Sequence, residues 1–183
     1  LTDLNINNNQ GRGISLHGAD VILRNVTIDN NQGGGIFLYG ADAILDDVTV
    51  SNNNSGAASG GGIYIDGGTT TISNSQIFAN QAKSGGGIYI IGGILEITNT
   101  NFENNTADRN GGGIGTHSAF VELNNVIISN NQIDGNHQSM GGGVCCMGPR
   151  SMYSSDANLI MTDVIISENM GSFGGGVALT YIN

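Results

Sequence analysis

The sequence predicts an all-β fold in which the chain winds into a parallel β-helix, or β-solenoid, of about seven coils with three short strands each. Three observations predict it: a triple-glycine mark, an asparagine shortly before each mark, and apolar residues that alternate with polar ones. All three recur together along the chain. Repetition at periods of roughly 20–50 residues is typical of solenoids, in which each repeat buries its apolar side on its neighbours.

The triple-glycine mark identifies equivalent places in successive coils. The hexapeptide Gly-Gly-Gly-Ile-Tyr-Ile stands at 60–65 and again at 85–90. Each mark is followed by an isoleucine or valine that we expect in the core. We expect the glycines to supply positive φ and to let backbones pass closely at a corner. The marks begin at Gly11, Gly33, Gly60, Gly85, Gly111, Gly141 and Gly174, with Arg12 as the one other residue among the triplets.

The asparagine before each mark predicts a structural turn ladder. Asparagine tolerates left-handed backbone geometry, bonds backbone groups, and can bond stacked copies of itself. The ladder residues are Asn9, Asn31, Asn53, Asn80, Asn105, Asn131 and Asn169. A second column, six residues earlier, holds Asp or Asn at Asp3, Asn25, Asp47, Asn74, Asn99, Asn125 and Asp163.

The spacing of the apolar residues favours strands over helices. They alternate with a period of two, as in Ile63 and Ile65 or Val26 and Ile28, in short runs bounded by Asn, Asp and Gly. Long runs with a period of 3.6, which helical repeats need, do not occur in the sequence. At ~4.8 Å per coil, seven coils would form a rod about 34 Å long.

One coil carries a literal family motif. Phe102-Glu103-Asn104-Asn105 is followed by Gly-Gly-Gly-Ile at 111–114, and this pair resembles the FxxN and GG-[AILV] repeats of the chlamydial polymorphic outer membrane proteins. The resemblance extends over all seven coils, with Ile or Val in place of the phenylalanine in the others. It implies a right-handed, pectate-lyase-like β-helix at the cell surface or outside the cell. It also implies part of an adhesive autotransporter passenger.

Charge and hydropathy narrow the classes of partner. The chain has 183 residues with 15 acidic and 5 basic side chains, which disfavours nucleic acids as ligands. No apolar run has the roughly 18 residues that a membrane span needs, and nothing in the sequence calls for a cofactor. We expect residues 1–183 to form a single β-helix segment of a longer chain or of an end-to-end assembly. The lack of an amphipathic cap at Leu1 or at Tyr181, Ile182 and Asn183 favours head-to-tail self-association.

The outward positions of the strand after each triple glycine suggest a binding surface. Phe37, Tyr64 and Tyr89 should stack as an aromatic strip, flanked by Tyr39 and Ile91. Exposed aromatic residues on a polar rod are a candidate surface for sugar rings or for another protein. The alternative is that stacked aromatic residues only stabilise the sheet.

Two other functions can be weighed from the residues. A polysaccharide lyase or hydrolase of this fold class needs clustered carboxylates and a basic residue for the anionic sugar. Asp46 and Asp47 are the only adjacent acidic pair; Asp47 falls in a turn column, and no basic residue is near them along the strand, so no catalytic residue is predicted. An ice-binding face needs a regular array of outward threonines, and the relevant column has only Thr27 and Thr49.

Coil six departs from the repeat through a loop at 132–140 and an insertion at 148–157. Residues that could bind a soft metal gather there, but their spacing matches no metal motif and no metal site is predicted. We expect Cys146 to point into the core and Cys145 outward, where it could form an intermolecular disulfide. The soft residues are His137, Met140, Cys145, Met147 and Met152.

Overall fold

The computed structural model describes residues 1–135, 139–148 and 158–180, and in these ranges the chain forms 21 strands and no helix. In chain order the strands are β1 (Thr2–Asn7), β2 (Ile14–His17), β3 (Val21–Asp29), β4 (Ile36–Tyr39), β5 (Ala43–Ser51), β6 (Ile63–Asp66), β7 (Thr69–Ser73), β8 (Gln76–Phe78), β9 (Gln81–Ala82), β10 (Ile88–Ile91), β11 (Ile94–Thr98), β12 (Asn101–Glu103), β13 (Thr106–Ala107), β14 (Ile114–His117), β15 (Phe120–Asn124), β16 (Ile127–Ser129), β17 (Gln132–Ile133), β18 (Val144–Met147), β19 (Asn158–Thr162), β20 (Ile165–Ser167) and β21 (Val177–Thr180).

The strands pair in parallel between coils, which confirms the predicted β-solenoid. One sheet contains the strand that follows each triple glycine, in the order β2-β4-β6-β10-β14-β18-β21. A second sheet continues round a corner: β19-β15-β11-β7-β5 form one side and β5-β8-β12-β16-β20 the other. The corner is continuous because β3 and β5 run through it unbroken, with β1 pairing to β3. A small sheet of two-residue strands, β9, β13 and β17, was not predicted.

The register places equivalent residues of successive coils on top of one another. Ile63, Ile88 and Ile114 are direct partners in β6, β10 and β14. Their side chains point inward and are fully buried. The next residue along each of these strands points outward. The interior is a continuous column of aliphatic residues with Phe102 as its largest fully buried side chain. Burial on the coils before and after is what holds one short strand in place.

The corners contain residues with left-handed backbone, but these are not the ladder asparagines. The second column has positive φ throughout, for example 51° at Asn25 and 56° at Asp47. In the ladder turn, positive φ falls on the residue before each ladder asparagine, such as Asn30 and Asn52. The expectation that the ladder asparagines themselves adopt left-handed geometry is therefore wrong. Their side chains point inward, and hydrogen bonding explains their recurrence.

The ladder asparagines form a continuous chain of hydrogen bonds inside the solenoid. Asn53 donates from both its backbone N–H and its Nδ2 to Oδ1 of Asn80, at 3.0 and 3.1 Å, and Nδ2 also donates to the Ile28 carbonyl at 2.9 Å. The same pattern links Asn80 to Asn105. From Asn31 to Asn131 these side chains are at most 1% exposed. The predicted ladder is thus present and satisfies polar groups that are cut off from water.

The glycine mark serves the close approach of backbones. Gly85 has φ +61°, and a Cβ on Gly86 would lie 2.5 Å from the carbonyl oxygens of both Gly112 and Thr106. A side chain at the second glycine would therefore push neighbouring coils apart. This close approach forms the corner after which strand β10, the strand that carries Tyr89, begins.

Exposed apolar side chains occur in the last coil, where Ile165, Met170 and Phe173 are 58%, 66% and 57% exposed. Tyr181, Ile182 and Asn183 lie outside the described residues. Head-to-tail self-association stays a prediction.

Candidate ligand-binding surface

The aromatic strip, Phe37, Tyr64 and Tyr89, stacks as the sequence predicts. The three residues are register partners in β4, β6 and β10. The ring centroids of Phe37 and Tyr64 are 5.0 Å apart with 5° between the planes, and those of Tyr64 and Tyr89 are 6.2 Å apart with 24°. The buried residues on either side of each ring fix its outward direction, because side chains alternate along a strand.

Both ends of the strip are covered by other groups. At one end, Cζ of Arg12 lies 3.6 Å from the centroid of Phe37, a cation–π contact. At the other, the ring of Tyr89 leans over Gly115, where Cδ2 is 2.9 Å from the place that a Cβ would occupy. Each ring face therefore contacts another ring of the strip, Arg12 or backbone. What the strip offers to a ligand is mainly ring edges.

A second outward column lies beside the strip. Asp66 pairs in register with Tyr39 on one side and Ile91 on the other, so the two predicted flanking residues are separated by a carboxylate. Tyr39 is 52% exposed and its ring lies 5.9 Å from that of His17. Ile91 is half-buried. The structure thus brings together all five residues predicted for the surface.

A pocket of about 400 Å³ adjoins the strip. The ring residues and Ile91 line one side, and the segment from Ser55 to Gly60 lines the other, with Arg12 also in the lining. That segment is braced by the hydroxyl of Ser55, which donates to the Ala58 carbonyl at 3.1 Å. The backbone N–H of Lys83 donates to the same carbonyl at 2.9 Å.

Sequence reasoning missed Arg12 and the 55–60 segment as parts of this surface, although signals for both were present. Arg12 is the one non-glycine among the triple-glycine marks. Asn31 and Asn53 are 22 residues apart, whereas Asn53 and Asn80 are 27 apart. The longer spacing showed that extra residues follow Asn53. It did not show that they would fold toward the strip.

Burial changes the pKa of the tyrosine hydroxyls in the strip. It raises the pKa of Tyr64, and the nearby Asp66 carboxylate raises it further. Burial also raises the pKa of Tyr89. Both phenols therefore stay neutral around neutral pH and can donate a hydrogen bond to a ligand.

The expectation that Cys145 is exposed is wrong. Cys145 and Cys146 are both free and 0% exposed. Cys145 continues the outward column between Gly115 and Ala178, but it is enclosed, and its thiol lies near enough to Tyr89 to raise the pKa of that residue slightly. Burial raises the pKa of the Cys145 thiol to about 12. A buried neutral thiol is not available for an intermolecular disulfide.

In the part of the chain that the structure describes, acidic and metal-binding groups do not gather at the strip. Among the described residues no three His, Cys, Asp or Glu side chains lie close enough to hold a metal ion. His137 and Met152 of the soft-ligand set lie outside the described residues. Asp47, which was predicted to fall in a turn column, lies at the corner within β5 and has φ +56°. Asp46 has a lowered pKa because Asn74 and Ser73 donate hydrogen bonds to it.

One detail of the acidic pair differs from expectation. The sequence places no basic residue near Asp46 along its own strand, but Arg24 is its register partner in the neighbouring coil. The separation in sequence hid this contact, because stacking joins residues that are about a coil apart.

Parallel pairing, the inward ladder and the stacked outward column together define a parallel β-helix. A family model described as "Right handed beta helix region" matches residues 1–160. The chain belongs to this family, and its winding is right-handed. No curated protein and no solved structure matches the sequence significantly. Within the described residues, no helix is long and apolar enough to cross a membrane.

Proposed function

We propose that this protein is a non-catalytic, extracellular or cell-surface β-helix that serves as a structural and adhesive segment, with the aromatic strip and its pocket as the ligand surface. The observation that carries the proposal is the outward ring column next to a pocket of about 400 Å³. A rigid sheet holds these groups, and clustered ring residues beside a concavity are typical of binding surfaces.

The resemblance of Phe102–Asn105 and Gly111–Ile114 to the repeats of chlamydial polymorphic outer membrane proteins supports an adhesive role at the cell surface. The competing function is a lyase or hydrolase acting on polysaccharides. The described residues favour it less. Asp66 is the only acidic residue in the strands of the sheet that carries the strip, and the stacked carboxylates of Glu96 and Glu122 lie on the second sheet, in a pocket whose lining contains no Lys or Arg.

The test compares two triple variants with the wild type on a glycan array and against a displayed random-peptide library. Phe37→Ala, Tyr64→Ala and Tyr89→Ala remove the strip. The control replaces three outward residues of the second sheet, Ile44→Ala, Thr71→Ala and Ile94→Ala. We expect the wild type and the control to retain ligands that the strip variant loses, with all three folded by circular dichroism.

Equal retention by the strip variant would contradict the proposal. So would release of unsaturated or reducing ends from neutral or acidic glycans by purified wild-type protein, which would establish the enzyme instead.

A further inference from the structure

We infer that the pocket beside the aromatic strip binds a carboxylate that a partner polypeptide carries next to an apolar side chain, with Arg12 as the counter-ion. This inference rests on the proposed function, because it names the kind of ligand that the same surface takes. It depends on the orientation of Arg12, the direction of the ring edges, and the charges on this sheet.

The placement of Arg12 leaves its guanidinium available to an anion. Its guanidinium lies over Phe37 at 3.6 Å, and among the described residues no acceptor is hydrogen-bonded to it or paired with it. Because guanidinium N–H groups lie in the plane of the group, contact through the face leaves them free. Two of them can hold one carboxylate side by side.

The stacked rings favour an anion over a sugar face. A sugar that packs on an aromatic residue needs an open ring face, and the faces of Phe37 and Tyr64 are taken by each other and by Arg12. Aromatic edges carry partial positive charge, which suits carboxylate and carbonyl oxygens. The pocket therefore presents Arg12 and ring edges together to an oxygen anion.

The remaining wall of the pocket suits an apolar side chain. Ile91 and Ala58 contribute aliphatic surface, and Ser55 and Ser59 are small. A volume of about 400 Å³ is enough for a small group of side-chain atoms and is at the low end for ligand pockets. A carboxylate with one adjoining apolar side chain matches this division between a cationic end and an aliphatic end.

The local charge permits an acidic partner although the formal net charge of the chain is −10. Among the seven strands of the sheet that carries the strip, Asp66 is the only acidic residue. It lies in the second column, between Tyr39 and Ile91. At physiological salt, charges on the other faces are screened over a Debye length of about 8 Å.

A displayed random-peptide library, selected on the immobilised full chain, tests the inference. We expect the selected peptides to share Asp or Glu beside an apolar residue. A selected peptide is then synthesised with an amidated C-terminus, as the acid and as its Gln or Asn counterpart. The acid should bind about tenfold or more tightly, as expected for charge-assisted hydrogen bonds. A free-acid version of the neutral peptide shows whether a terminal carboxylate can replace the side chain.

Variants of the protein test whether the preference for the acidic peptide depends on Arg12. Arg12→Gln should bind the acidic peptide about tenfold more weakly and lose the preference for the acid. The affinity of Arg12→Lys should fall between those of Arg12→Gln and the wild type, because lysine keeps the charge but cannot form two parallel hydrogen bonds to one carboxylate. Arg24→Gln makes the same change of charge on the second sheet, where Arg24 faces Asp46. It should bind like the wild type. Circular dichroism checks that each variant is folded.

Three results would overturn the inference. Peptides that bind through Tyr64 without needing an acid or Arg12 would contradict it and leave the proposed function standing. Retention of acidic glycans alone, dependent on Arg12, would contradict the polypeptide partner. If neither peptides nor glycans are retained by the wild type, the proposed function fails as well.

Discussion

Two columns of stacked residues run along this solenoid, and they differ in what surrounds them. From Asn31 to Asn131 the ladder asparagines lie inside, are almost wholly buried, and give their hydrogen bonds to one another and to backbone carbonyls. The aromatic strip lies outside and is half-buried, and its ring edges border a pocket. Both columns arise from the same repetition. The comparison teaches that like residues in register can hold the fold together or form a surface, depending on which side of the sheet they occupy.

The largest effect should come from breaking the inner column. Asn80→Ala leaves buried donors of Asn53 and the Val50 carbonyl without their partner. Unsatisfied buried groups cost about 1–3 kcal/mol each, so we expect a loss of about 3–5 kcal/mol in the free energy of unfolding. Urea unfolding followed by circular dichroism measures it.

The control for this variant is Asn99→Ala, which removes an exposed asparagine whose Nδ2 donates to Asn74. Alanine in the left-handed conformation of Asn99 should cost about 1 kcal/mol. Equal losses for the two variants would show that the buried ladder has no special role.

Breaking the outer column should change stability less and binding more. Tyr64→Ala removes two ring contacts, each worth about 0.5–1.5 kcal/mol beyond burial. We expect a loss of about 1–3 kcal/mol in the free energy of unfolding, below that of Asn80→Ala, together with loss of the ligands that the wild type retains. A larger loss of stability than in Asn80→Ala, with binding unchanged, would assign the strip to the sheet alone.

Cys145 sharpens the comparison, because it continues the outer column but is enclosed. With the pKa of its thiol raised from 9.0 to about 12, it should not react with a thiol reagent at about pH 8 while the protein is folded. Both cysteines should react after unfolding in guanidinium chloride. Because folding raises this pKa, its contribution to stability is full below pH 9 and is lost as the pH rises toward about 12. Rapid modification of Cys145 in the native protein would show that the column is open there.

The smallest effect concerns the protonation of the strip. Tyr64 and Tyr89 should titrate above 10.0 in the folded protein because burial disfavours their charged forms. Asp66→Asn should lower the pKa of Tyr64 and leave that of Tyr89 nearly unchanged, since only Tyr64 feels that carboxylate. Absorbance of the phenolate follows the titration, with Tyr64→Phe to assign it. No change on replacing Asp66 would mean that the two columns are farther apart than the register indicates.

The sequence predicted the coils, the ladder and the strip because each depends on position within a repeat. Asn31, Asn53 and Asn80 are recognisable by their distance from the glycine marks, and stacking follows from that. The left-handed residues beside the ladder were misassigned by one position. Asparagine is suited both to a left-handed turn and to an inward hydrogen bond, so residue type alone does not show which of two neighbouring positions has which role. The burial of Cys145 and the pairing of Arg24 with Asp46 were missed because they depend on neighbouring coils.

The pocket could not be predicted for a related reason. Arg12 reaches Phe37 across one coil, and the 55–60 segment departs from the repeat, so periodicity says nothing of its path. Where the chain follows the repeat, the sequence is sufficient for the arrangement. Where it departs, side-chain reach and local hydrogen bonds decide.

The central claim is that the outer column binds and the inner column stabilises. Backbone amide shifts by NMR, recorded as a retained peptide or glycan is added, test it most directly. We predict changes confined to Arg12, Phe37, Tyr64, Tyr89, Ile91 and the 55–60 segment, with the amides of the ladder asparagines unmoved. Shifts centred on the second sheet, around Thr71 and Glu96, with the strip unchanged, would contradict the account.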